Sequence, residues 1–421
     1  MKSEKVKLLL VALMFSINLS AQGEAAVPVL TLSQSPQLFG VGQVGVSVTF
    51  DDPLAFYHNP AILGFQARDN NFSTSILTDK VNWMGRMYDF NVFGFNFGYN
   101  LERTFPFIPI SVGLGYSKAK MSYGTGYYFS SNSDFLGTSH PYDEYTTISF
   151  GASLEYYTIL SFGISSKSVT SNIGIRMTSD PNNLKEITAE KSLLDYGLLL
   201  EVPISQLIMN SVQWNIDEQN YLSPKTNFTI GYSLTNIGDE IYYYIDPQQK
   251  DPLPRTARLG YNFNFGLDLT HGAKKINLLN YYFFAEADDI LISNNMSGFE
   301  YQSSLSDLSF SKNLIQLKGD DKILMHKAHL IELLEIVKLT SGSYYGRGFD
   351  GYQINSYPKS SGFVVSSKGI FKILNILTTN KIVKFIKEHI AIEYVQASNF
   401  KGESFETDFS AFNIYLKNFY F

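Results

Sequence analysis

Hydrophobic and polar residues alternate with a period of two in segment after segment of this chain. At Thr256–Phe265, Ala257, Leu259, Tyr261, Phe263 and Phe265 fall on one face, with Thr256, Arg258, Gly260, Asn262 and Asn264 on the other. Phe93, Phe95, Phe97 and Tyr99 alternate with Gly94, Asn96, Gly98 and Asn100, and the pattern returns at Ile110–Ser117, Thr147–Tyr156 and Phe228–Leu234. Successive side chains of a strand point to opposite faces, so each segment is a strand with one apolar and one small or polar face. Repeated segments of about ten residues, apolar outside and polar inside, predict an all-β fold, a transmembrane antiparallel β-barrel. A water-soluble β-sandwich, which also alternates, is the competing architecture.

Composition narrows the choice. Apolar residues make up only 44% of the chain, and no stretch beyond the N-terminus reaches the ~20 apolar residues of a spanning helix. A membrane protein of this composition must cross with strands. The 33 Phe and 28 Tyr, against 2 Trp, suit a lipid-facing wall with aromatic girdles. The absence of cysteine excludes disulfides, thiol chemistry and a lipidated cysteine anchor. Lys2, Lys5 and Lys7 precede an apolar core, Leu8–Leu19, and Ser20-Ala21 before Gln22 forms a cleavage site, so residues 1–21 are expected to be a signal peptide. Cleavage after Ala25 or Ala26 is the alternative. Removing 1–21 takes away three lysines and Glu4, which moves the formal charge from −6 to −8. An acidic mature chain argues against a nucleic-acid partner, which needs basic patches.

Residues 22–70 alternate little. They carry Gly40, Gly42 and Gly45, then Asp51-Asp52-Pro53 and Asn59-Pro60-Ala61, and are expected to form a hatch in the lumen or across its mouth, with the barrel wall over 71–421. Asn59, Pro60 and Ala61 read as a turn entering a short helix, since proline suits a first helical position, or as an ordinary surface turn. Long polar interruptions fall at Lys118–Tyr145, Ser179–Leu193, Ile204–Lys225, Asp288–Met325, Gly346–Lys359 and Ala397–Ser410. Leu330–Val337 fits either a helical face or two strands joined by a tight turn. Thr378–Glu388 reads as a short rim helix with Thr379 or Asn380 as its cap. The chain ends on an aromatic, Phe421, the usual assembly signal of such barrels, but out of phase with Phe412, Ile414 and Leu416 unless a bulge near Asn418 intervenes.

Glu155, Arg176, Arg258 and Glu393 lie on the polar faces of their strands. They are expected in the lumen, because an Arg toward lipid at mid-depth costs about 2–4 kcal/mol; they serve either to position the hatch or as generic lumen ion pairs. His326 and His329 fall on opposite faces if they lie on one strand, which excludes a shared metal there. No HExxH, GxSxG, P-loop or cysteine cluster occurs, so neither catalysis nor a cofactor is expected. Met121–Tyr145 contains Tyr123, Tyr127, Tyr128, Phe129 and Tyr142 among Ser and Gly. Rigid aromatics in adaptable backbone suit a recognition loop; the plain alternative is a rim girdle.

Three blocks together resemble a known family. Gly40-Val41-Gly42-Gln43-Val44-Gly45 with Asp51-Asp52-Pro53-Leu54-Ala55 and Asn59-Pro60-Ala61 is similar to the start of the FadL-like outer-membrane proteins. Asn236-Ile237-Gly238-Asp239-Glu240-Ile241 followed by Asp251-Pro252-Leu253-Pro254-Arg255-Thr256-Ala257-Arg258-Leu259-Gly260 resembles the PorV/PorQ branch more narrowly, as do Gly346–Asp350 and the final Asp408–Phe421 segment. The resemblance implies roughly fourteen strands, an N-terminal hatch and an outer-membrane location. It implies one of two functions. A PorV-type barrel would be a platform in type IX-like protein export and surface attachment, with secreted cargo proteins and secretion-system subunits as partners. A FadL-like channel would take up hydrophobic small molecules. The expectation from sequence puts the export platform first.

Overall fold

The computed structural model describes residues 25–421 apart from 84–87, 130–132, 178–183, 209–211, 218–219, 244–249, 273, 296–297, 306, 321, 348–352, 355–358, 379, 401–405 and 420–421. The expected signal peptide and Phe421 lie outside the described residues. Fourteen antiparallel strands form a closed wall. They are β1 (Asn70–Leu77), β2 (Tyr88–Asn100), β3 (Ile110–Ser122), β4 (Tyr142–Glu155), β5 (Ile159–Met177), β6 (Leu184–Val202) and β7 (Asn220–Ile237). The second half is β8 (Thr256–His271), β9 (Lys274–Ile290), β10 (Ile323–Leu333), β11 (Val337–Arg347), β12 (Lys359–Ser366), β13 (Ile390–Asn399) and β14 (Thr407–Lys417). Each strand pairs with its neighbours in sequence, and β1 pairs with both β2 and β14, which closes the ring.

The two faces of the wall invert the rule for a soluble protein. Phe93, Phe97, Leu114, Ile148, Phe150, Leu160, Phe162, Leu198, Leu339 and Phe412 are exposed on the outside. Asn96, Ser117, Thr147, Ser149, Ser165, Thr229 and Asn262 are buried on the inside. Leaving a Leu or Phe in water forgoes about 1.5–3 kcal/mol relative to burying it, so a belt of this extent is stable only against lipid. The chain is a multi-pass outer-membrane β-barrel. Short connections at 156–158, 272–273 and 334–336 mark one rim, which by the length rule for such barrels faces the periplasm. The long loops stand at the outer rim. One of them folds back, so that Leu314 packs on the outer face of the wall against Ala285, Ala287, Ile323 and Met325.

Several strands run further than the alternation indicated. β3 continues to Ser122 and β4 begins at Tyr142, because Ala119, Met121, Asp143 and Tyr145 keep the inward phase. Leu330–Val337 resolves into the end of β10, a turn and the start of β11. Leu334 and Glu335 hold φ of 55° each, the left-handed pair that a tight hairpin needs. The rim helix, here Lys381–His389, is capped by Asn380, whose side chain accepts from the Ile382 N–H. A second rim helix, Ser367–Leu377, precedes it and was not apparent from the alternation. Near the C-terminus the backbone turns left-handed at Asn418, with φ 56°.

Residues 25–69 pack against inward-facing wall residues through two short helices, α1 (Pro36–Gly40) and α2 (Ala61–Gln66). The wall receives them on a track of glycines. Gly98, Gly113, Gly151, Gly163 and Gly197 stand directly opposite one another across five consecutive strands, β2 to β6. A Cβ at Gly163 would lie 2.2 Å from the Pro60 carbonyl carbon, and one at Gly197 would lie 1.9 Å from Asn59 Oδ1. The track lets the backbone of Asn59–Gly64 lie directly on the sheet. Gly163→Val is therefore expected to expel α2 at a cost of about 1–3 kcal/mol, while outward-facing Ser166→Val is neutral. Limited proteolysis of folded barrels, identified by heat-modifiable gel migration, checks this. Cleavage within residues 50–69 should appear in the first variant only.

Candidate functional site in the barrel interior

The interior is layered. At the outer end, Val27, Val29, Leu30, Phe39, Leu54 and Tyr57 pack as one apolar cluster against Val81, Phe90, Val92, Ala119, Met121, Tyr145, Val169, Leu193 and Phe409 of the wall side. Inward-facing apolar residues depart from the polar lumen usual in such barrels. The inner segment caps this tier. Pro28–Thr31 forms a short 3-10 turn after Val27, which holds φ 55°. For a β-branched residue that is a strained conformation, costing on the order of 1–3 kcal/mol. The Ala26 N–H donates to the Pro252 carbonyl at 2.8 Å, and Leu253 joins the apolar cluster.

The Asn236 and Asp251 sequence blocks fold onto each other at this level. Asn236, left-handed at φ 58°, donates from Nδ2 to the Pro254 carbonyl at 3.0 Å and from its backbone to Asp195 at 2.7 Å. Its Oδ1 accepts from Lys167 at 2.8 Å. Lys167 and Asp195 form a fully buried ion pair at 2.9 Å, and the ammonium stands 4.2 Å from the Tyr57 ring centre. Tyr57 in turn stacks on Tyr145 and donates to the Leu30 carbonyl at 2.6 Å. A salt bridge in the wall thereby supports the ring beneath the apolar cap.

Below this tier charges dock the inner segment. Glu286 accepts from the backbone N–H groups of Gly45 and Val46 at 2.7 and 2.8 Å. Its other oxygen faces Arg258 at 3.3 Å, and Arg258 also reaches Asp288 at 3.1 Å. His326 lies 3.3 Å from Asp288 and donates from Nδ1 to the Gly42 carbonyl at 2.7 Å. On the far side, Lys338 pairs with Glu393 at 2.9 Å, and Tyr415 donates to both Glu393 and the Asp51 carbonyl. Lys417 pairs with Asp51 at 2.7 Å. Burial pushes Asp52 up to about 6, even though the Ser35 hydroxyl and the Leu54 N–H both donate to it. Burial, with Arg258, His326 and Lys167 nearby, holds His58 neutral, well below the usual histidine range.

Asn59 is fully buried. Its Nδ2 donates to Val46 and Leu198 carbonyls at 2.7 and 3.0 Å, and its Oδ1 accepts from the Ala61 N–H at 3.0 Å. Pro60 and Ala61 lead into α2 against the glycine track. Arg258 and Glu393 lie inside the ion-pair tier, and Glu155 pairs with Arg68 at 3.2 Å on the periplasmic rim. The Arg176 backbone belongs to β5, and its side chain lies outside the described part. Tyr127 and Phe129 are exposed on a short outer hairpin, Gly126–Phe129 with Phe135–Ser139. Tyr123 donates to Asp143, Tyr128 accepts from Ser139, and Tyr142 lies 4.1 Å beneath the Lys120 ammonium. His326 faces inward while His329 faces outward beside Tyr281. Among the described residues no cluster of three or more His, Asp or Glu side chains could hold a metal. Lys167, Asp195, Glu286 and Lys338 were missed, although each sits on the polar phase of its strand.

No protein-family model matches the chain, and no curated protein matches it. Solved barrels similar to it include the toluene transporter TodX of Pseudomonas putida, with 11% identity, a TM-score of 0.42 and coverage of 91% of this chain and 97% of that one. The CymD monoaromatic hydrocarbon channel gives 9%, 0.39, 92% and 98%. A Pseudomonas aeruginosa FadL homologue gives 9%, 0.36, 94% and 99%. The structural neighbours thus include FadL-family outer-membrane barrels, while the narrower PorV/PorQ resemblance stands on the sequence blocks alone.

Glu286 holds two N–H groups of the inner segment and one wall guanidinium at once. Glu286→Gln keeps the shape but weakens these charge-assisted bonds, so a loss on the order of 1–3 kcal/mol is expected. Gel-shift unfolding of the barrel against temperature checks it. Arg258 keeps Asp288 as a partner, so Glu286→Gln should cost less than Arg258→Met, which leaves two buried carboxylates without their cation.

Proposed function

We propose that this barrel is an outer-membrane channel for hydrophobic small molecules, with residues 25–69 as its hatch and Val27–Leu32 as the part that moves. The apolar tier at the outer end of the lumen carries the reading. A water-filled pore needs a polar lining, and a docking platform needs no inward-facing Phe90, Met121, Val169, Leu193 and Phe409. A hydrophobic compound arriving from outside exchanges with Val29 and Leu30, apolar surface for apolar surface, so displacement costs little desolvation. Strain at Val27 favours release of the cap. The charged tier below keeps the rest of the hatch in place. This reverses the order of the two functions expected from sequence.

A specific observation favours the export-platform reading as second. Tyr127, Phe129 and Phe135 project from the outer hairpin, each more than half exposed at 66%, 56% and 60%, and exposed aromatics of this kind anchor protein partners. The test compares two variants in one strain. Ala26→Cys with Pro252→Cys joins two backbones already hydrogen-bonded, in a chain with no other cysteine. Oxidation of that pair should abolish uptake of a long-chain hydrophobic probe, and reduction should restore it. Deleting 124–140 should leave uptake intact. Normal uptake through the oxidised barrel, with surface retention of a secreted protein lost in the deletion, would put the platform first.

A further inference from the structure

The two rim helices, α4 (Ser367–Leu377) and α5 (Lys381–His389), which follow the short α3 (Ile204–Ile208) along the chain, are packed in the reverse of the sense expected in water. The face of α4 turned to the barrel is polar. Lys368 and Lys372, one turn apart, both bind Glu335 in the β10–β11 turn, Lys368 at 2.9 Å. Gly369 lies against the Leu334 carbonyl, where a Cβ would stand 2.0 Å away. Lys274 donates to the last carbonyls of α4, those of Asn375 and Ile376, at 3.2 and 3.3 Å. The face turned away is apolar, with Ile370, Leu374 and Leu377 exposed at helical spacing. On α5, Ile382 and Phe385 are exposed, and Lys381, Lys384 and Lys387 follow every third residue. A rim helix surrounded by water would bury its apolar stripe against the protein.

The position of the pair names what covers that stripe. The helices leave the wall after lipid-facing Val365 and re-enter it before lipid-facing Ile392. Elsewhere the periplasmic rim carries exposed aromatic and aliphatic residues on its turns. These are Phe105 and Phe107 between β2 and β3, Tyr156 and Tyr157 between β4 and β5, and Trp214 and Ile216 between β6 and β7. The 272–273 and 334–336 turns, on the arc from β8 to β11, carry no aromatic residue. α4 stands at that arc, held by Glu335 and Lys274, and α5 carries the rim on below β13 and β14, where His389 donates to the Lys417 carbonyl and Asn418 donates to that of Glu388. We propose that α4 and α5 lie in the periplasmic leaflet of the outer membrane and complete the interfacial girdle. Ile370, Leu374, Leu377, Ile382 and Phe385 enter the headgroup–acyl boundary, and Lys381, Lys384 and Lys387 meet anionic phospholipid headgroups. Amphipathic helices with lysines flanking an apolar face bind membrane interfaces in this way.

The test uses the full-length barrel in vesicles of phosphatidylethanolamine and phosphatidylglycerol. Leu377→Cys and Ile382→Cys, each the sole cysteine, carry an environment-sensitive fluorophore, with Asn215→Cys on the rim connection as reference. The expected result is blue-shifted emission at 377 and 382, quenched by lipids brominated near the headgroup and protected from aqueous iodide. Heat-modifiable migration selects folded protein. Replacing Lys381, Lys384 and Lys387 by Gln should leave the barrel folded and make the emission at 382 insensitive to the phosphatidylglycerol fraction. Red-shifted emission at 377 and 382, quenched by iodide and untouched by brominated lipid, would overturn the proposal and assign the stripe to a periplasmic protein. A signal at 382 independent of phosphatidylglycerol in the unaltered chain would overturn the headgroup contact.

Discussion

Closure of the wall through the pairing of β1 with β14 is the constraint on which the rest of this structure depends. Hydrocarbon offers a backbone no hydrogen-bonding partner, so a sheet edge left open in a bilayer costs several kcal/mol for each unpaired group. A closed ring removes the edge but imposes an inside and an outside along every strand. The outside must be apolar for lipid. The inside is then free to specialise, and in this chain it is occupied by the chain's own N-terminal segment.

That occupation is built from two kinds of contact. Where the segment lies flat on the wall, the wall is stripped to glycine, so that backbone meets backbone around Asn59–Gly64. Where it stands off the wall, carboxylates, lysines and Arg258 bridge the gap. Buried ion pairs of this sort are poor sources of net stability, because desolvation offsets most of their attraction, but breaking one leaves a stranded charge. They fix register. Among the described residues the tier around Val29 and Leu30 is an apolar cluster, so it is the part of the interior that can exchange occupants without stranding a charge.

Much of the wall was legible because lipid enforces strict alternation. Thr256–Phe265 in β8 and Phe93–Tyr99 in β2 read directly as strands with known inward and outward residues. The signal fades where the outside is no longer lipid. At Ala119, Met121 and Tyr145 the inward positions turn apolar to meet Val27–Leu30 of the N-terminal segment, which blurs the alternation and shortens the apparent strands. The Lys167–Asp195 pair was within reach, since a lysine and an aspartate on the polar phases of lipid-facing strands must point inward. Their meeting was not, because which strands are neighbours and in what register is a property of the closed sheet. The helix at 367–377 hid for a related reason. Its lysines face the protein and its apolar stripe, Ile370, Leu374 and Leu377, faces away, the reverse of the pattern by which a helix on a water-facing surface is recognised.

In the proposed channel, the apolar tier at the outer end of the lumen is a binding chamber that Val27–Leu32 fills in the absence of ligand. The most direct measurement is a structure of the full-length barrel with a long-chain hydrophobic probe bound, in lipid rather than in detergent. The probe is expected among Phe90, Met121, Val169, Leu193 and Phe409, with Val29 and Leu30 displaced and the Glu286 bonds to Gly45 and Val46 unchanged. A probe found only on the outer wall, with Val29 and Leu30 still seated, would contradict it.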